Sequence, residues 1–81
     1  MRNQTPVNQE AHEILLKMGF VFLGSDDESG YEHPKLSENT LIVSPSGAWR
    51  LIEPTSYSEH MRADGLPDDM EEELTLILNG A

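Results

Sequence analysis

Two runs of strand-forming residues, Thr40-Leu41-Ile42-Val43-Ser44 and Ala48-Trp49-Arg50-Leu51-Ile52-Glu53, flank the tripeptide Pro45-Ser46-Gly47. Proline suits the first corner of a type I turn, and Gly47 suits the left-handed bulge position after it. A loop of that length fixes the register, setting Val43 opposite Trp49 and Leu41 opposite Leu51. Side chains alternate across a sheet, so these four share one face, and their bulk makes it the core side. Thr40, Ile42, Arg50 and Ile52 fall on the other face.

A helix precedes this hairpin. Thr5 is placed to cap it, Pro6 fits the first helical position, and Gly19 supplies a left-handed stop. Val7, Ala11, Ile14, Leu15 and Met18 recur at helical spacing and give one apolar face, with Leu16 opposite. Phe20-Val21-Phe22-Leu23 then reads as a buried strand, and Gly24-Ser25-Asp26-Asp27-Glu28-Ser29-Gly30 as a solvated loop. Tyr31-Glu32-His33 has room for a short second strand ending at Pro34, which lacks a donor. The stretch from Pro54 to Gly65 is polar, with one or two helical turns expected over 56–63. A second helix follows: Asp68 and Glu71 have capping-box spacing, Met70, Leu74, Ile77 and Leu78 form its apolar face, and Asn79-Gly80 ends it.

The expected architecture is therefore α+β: helix, two or three antiparallel strands, helix, with both helices packed on one face of the sheet. Residues 1–81 read as a single small acidic domain, with length for one core.

Fifteen acidic residues against five basic ones give a formal net charge of −10. Such a surface repels nucleic acid and anionic membranes, whose binding needs Lys and Arg. It suits a protein partner with a basic surface, reached by electrostatic steering. No cysteine is present, which excludes disulfides and thiolate chemistry and agrees with a cytoplasmic location. No apolar run in Met1 to Glu10 resembles a signal peptide, and none elsewhere is long enough to span a membrane.

No motif for catalysis or for a cofactor stands out. His12, His33 and His60 have no ligand spacing and read as surface histidines. Asp26-Asp27-Glu28 lacks the alternating oxygens of a calcium loop, and neither a Gly-x-Ser-x-Gly elbow nor a phosphate cradle occurs. The densest charge cluster is Asp64, Asp68, Asp69, Glu71, Glu72 and Glu73, more carboxylates than helix capping requires. These six are the candidate partner-binding residues, with the Ile42 and Ile52 face as a further candidate interface.

Leu15-Leu16-Lys17-Met18-Gly19-Phe20-Val21-Phe22, then Gly24-Ser25 and His33-Pro34, resembles the opening of HicA-type mRNA interferase toxins. The resemblance implies a helix–three strands–helix fold related to the double-stranded RNA-binding domain. That family carries its catalytic histidine in Gly-Ser-His, where this chain has Gly24-Ser25-Asp26. The expected function is thus a non-enzymatic protein-binding module whose acidic surface engages a basic partner such as a nucleic-acid-binding protein, as an inhibitor or nucleic-acid mimic. The alternatives are a divergent HicA-like ribonuclease using His33, and a structural or oligomerising subunit.

Overall fold

The computed structural model describes residues 5–54 and 59–80. Helix α1 (Gln9–Lys17) begins later than Thr5 and Pro6 suggest. Asn8 caps it, its side chain accepting the Ala11 N–H at 2.9 Å. The reason for the shift lies upstream: the Val7 N–H donates to Ser29 Oγ at 2.9 Å, which holds Val7 off the helical path. The Asn8 amide also donates to the Pro45 carbonyl at 3.0 Å, so the cap doubles as a tie to the hairpin tip. Gly19, at φ +94°, ends the helix as its sequence position implies.

Among the described residues five strands follow one another in space as in sequence, every neighbouring pair antiparallel. They are β1 (Val21–Ser25), β2 (Ser29–Glu32), β3 (Thr40–Val43), β4 (Trp49–Pro54) and β5 (Glu59–Gly65). The β3–β4 register is the one the turn dictates, with Val43 opposite Trp49 and Leu41 opposite Leu51. Gly47, at φ +92°, occupies the left-handed position.

Two or three strands were expected, and the difference has two sources. The segment read as a loop from Gly24 to Gly30 is mostly strand, closed by a tight turn in which the Asp26 N–H bonds the Glu28 carbonyl at 3.0 Å. Serine and glycine are weak strand formers, yet Ser25 and Ser29 pair and are buried, their hydroxyls sharing a hydrogen bond of 2.7 Å. The second source is β5, where helical turns were expected over 56–63. Pairing along β4 overrides the weak local preference from Glu59 onward; residues 55–58 lie outside the described residues.

The edge position of β1 also corrects the expectation that Phe20 to Leu23 is a buried strand: Val21 is 55% exposed, Phe22 and Leu23 are half-buried, and of those four only Phe20 is buried. Tyr31, Leu41, Val43, Trp49 and Leu51 mark the inner face of the sheet. They form one buried cluster with Ala11 and Leu15 of α1 and with Met70 and Leu74 of helix α2 (Met70–Asn79). Alternation then turns Thr40, Ile42, Arg50 and Ile52 to the outer face.

Candidate binding surfaces

The six candidate carboxylates do not form one strip. Asp64 lies opposite Arg50 on β5, hence on the outer face, while its neighbour Ala63 packs toward the core. Asp68 is exposed within the short 3-10 helix Pro67–Asp69. Asp69 turns inward, its Oδ1 accepting the Trp49 indole N–H at 3.2 Å. It also occupies the cap position of α2, in place of Asp68, but makes no side-chain cap bond. The capping box expected between Asp68 and Glu71 therefore does not form. Its acceptor role is displaced because the preceding turn is 3-10 and the nearer carboxylate serves the indole.

Glu71, Glu72 and Glu73 are all exposed in the first turn of α2. Successive helical residues diverge by about 100°, so the three carboxylates fan around the helix between buried Met70 and Leu74. Their charge favours the helix N-terminus, whose amides are partly positive. Asp68 and Glu71 to Glu73 are thus grouped; Asp64 stands apart on the far side of the sheet.

A tighter constellation was invisible in the sequence. Arg50 donates to both oxygens of Glu28 at 2.8 Å, across the outer face from the β1–β2 turn. Those hydrogen bonds hold the Glu28 carboxyl below its ordinary value; partial burial works against them and the Arg50 charge adds to them. The Asp26-Asp27-Glu28 turn is thereby anchored instead of forming a free loop. The signal for it was the pairing of Gly30 with Ile42 and of Ile42 with Arg50, which brings the three strands' outer residues side by side.

Two of the three histidines are not surface residues in the expected sense. His12 shares a hydrogen bond of 2.8 Å with the buried Tyr31 hydroxyl and meets the Phe22 ring edge-on. Burial pushes the Tyr31 phenol above its ordinary value, a Ser29 hydrogen bond pulling the other way. His33 accepts the Lys35 N–H on Nδ1 at 3.1 Å. Its Nε2 therefore carries the proton and donates to the Met18 carbonyl at 2.9 Å. Both ring nitrogens serve backbone groups, which makes His33 a tie between the end of α1 and the 3-10 helix Pro34–Leu36. His60 is exposed.

Among the described residues no group of three or more His, Asp or Glu side chains is placed to hold a metal ion. No helix among them is long and apolar enough to cross a membrane. Comparison with protein-family models, curated proteins and solved structures found no match to this chain.

Proposed function

We propose that this chain is a non-enzymatic protein-binding module whose acidic surface engages a basic partner, such as a nucleic-acid-binding protein that it occupies or inhibits. One observation carries the reading: Asp68, Glu71, Glu72 and Glu73 are grouped and exposed, and among the described residues none of them enters an ion pair. Two of the chain's cations are engaged elsewhere. Arg50 is held by Glu28, and Arg62 donates to the Asn39 side chain at 3.0 Å. A net charge of −10 then gives long-range attraction toward a cationic surface. Cytoplasmic residence and an absence of direct nucleic-acid binding belong to the same proposal.

The ribonuclease alternative finds little support, since both nitrogens of His33 are committed to backbone partners. General acid–base catalysis needs one nitrogen within reach of substrate.

The test is affinity capture from the source cell, followed by kinetics with each captured partner. Steered association is screened by salt, with a Debye length of about 8 Å at physiological ionic strength. Association should slow with salt far more than dissociation quickens, and changing Glu72→Gln with Glu73→Gln should reproduce part of that loss. A partner whose association ignores both would leave the charge as a solubility device only.

A further inference from the structure

An antiparallel sheet with helices on one side normally turns polar residues toward water on the other. Here the outer face carries Val21, Leu23, Ile42, Ile52 and Met61. The register places four of them: Ile52 lies opposite Met61 and Thr40, Ile42 lies opposite Gly30, and Val21 lies beside Glu32; Leu23 sits at the irregularity between Phe22 and Gly24, with its side chain against Gly30. Val21 and Met61 are 55% and 52% exposed, while Ile42 and Ile52 are half-buried.

Gly30 sits among these side chains without one of its own. The result is a shallow hollow walled by Leu23, Thr40 and Ile42, with Asp26, Asp27 and Glu28 at its margin. Exposed Glu32, between Val21 and Thr40, and exposed Asp64, opposite Arg50, lie on the same face. Among the described residues its one cation, Arg50, is neutralised by the bidentate bond to Glu28.

We infer that this outer face is the docking site for a partner segment bearing apolar side chains flanked by Lys or Arg. The proposal rests on the reading of a basic partner and names where that partner sits. Glu28 is spent on Arg50, but Asp26, Asp27, Glu32 and Asp64 stand beside the apolar residues and enter no ion pair among the described residues, which makes the face complementary to a cationic amphipathic segment. It is not complementary to a second copy of this chain, whose face would bring the same carboxylates into opposition. Contiguous apolar surface on a small chain marks an interface, and the hollow over Gly30 accepts one side chain of the occupant.

The test is an amide NMR titration of the whole chain with two synthetic peptides, one alternating Lys and Leu, the other alternating Gln and Leu. The Lys–Leu peptide should shift the amides of Gly30, Ile42, Ile52 and Met61 and leave those of Glu71 to Glu73 in place. The Gln–Leu peptide should bind more weakly. Replacing Ile42→Ser with Ile52→Ser should weaken Lys–Leu binding by about tenfold or more through faster dissociation, whereas Glu72→Gln with Glu73→Gln should slow association by lost steering and leave dissociation in place. If the double serine variant does not fold, Thr40→Arg tests the same face by adding a cation without removing apolar surface, and should weaken binding. Shifts centred on α2, lost with the glutamine variant, would overturn this site while leaving the basic-partner reading intact. Equal binding of the two peptides would sink both, because charge would then play no part. Binding of neither peptide, or sedimentation showing a dimer that Ile42→Ser dissolves, would also overturn the inference, the latter in favour of a second copy.

Discussion

The indole N–H of Trp49 donates to Asp69 Oδ1 at 3.2 Å and to the Leu66 carbonyl at 3.1 Å, joining β4 to the segment that enters α2. Trp49 is 2% exposed, so its polar edge requires those acceptors. Removing the Asp69 acceptor weakens a buried bond, while Asp68 beside it is exposed and makes no cap bond. Asp69→Ala should cost about 1–2 kcal/mol and Asp68→Ala well under about 0.5 kcal/mol. Urea unfolding monitored by Trp49 emission reads both. Equal losses from the two variants would contradict this division of roles.

Gly65 lies opposite Trp49 on β5. A Cβ added there would collide with the Asp69 carboxylate and come within 2.8 Å of the indole ring. Neither can retreat without breaking the bond between them. Gly65→Ala should therefore cost about 1–3 kcal/mol, and Trp49 emission should move toward longer wavelength. An alanine variant as stable as the wild type would show that this junction is looser than its geometry.

His33 ties the end of α1 to the 3-10 helix through both ring nitrogens. Long-range proton–nitrogen NMR should find the proton on Nε2. His33→Ala should cost about 1–3 kcal/mol, since two backbone partners lose their bonds. RNA incubated with the wild-type chain should remain whole. Cleavage that disappears in the alanine variant would restore the nuclease reading.

What the sequence made legible was local. The Pro45-Ser46-Gly47 loop determined which residues of β3 and β4 meet, and from that the faces of Trp49, Ile42 and Ile52 followed. The apolar spacing of α2 likewise placed Met70 and Leu74 inside. The strands that escaped notice owe their form to distant partners. Ser25 and Ser29 have weak strand preference, but their mutual hydrogen bond and the Val7 amide satisfy both hydroxyls in the interior. Residues from Glu59 to Gly65 become a strand because β4 offers its free edge. The acidic cluster was legible as composition only. That Asp64 and Glu72 lie on opposite sides of the sheet, and that Asp69 is spent on an indole, required the topology.

Glu28 accepts two hydrogen bonds from Arg50, and these hold its carboxyl below the ordinary 4.5. A carboxyl depressed on folding contributes stability that is fully present above its unfolded value and disappears as pH falls through the folded one. The relevant window thus opens near 4.5 and extends downward. Both side chains remain partly exposed, at 43% for Arg50 and 32% for Glu28, so water screens the pair. Its contribution should be about 0.2–1 kcal/mol, with the bidentate geometry favouring the upper part of that range. Glu28→Gln should then be less stable than the wild type by that amount near pH 7, and the gap should close as both are titrated toward about pH 3. Salt should narrow the gap at neutral pH as well. A difference that persists undiminished in acid would mean that Glu28 stabilises the β1–β2 turn through its shape and hydrogen bonds to neutral partners, and that the Arg50 pair contributes nothing through charge.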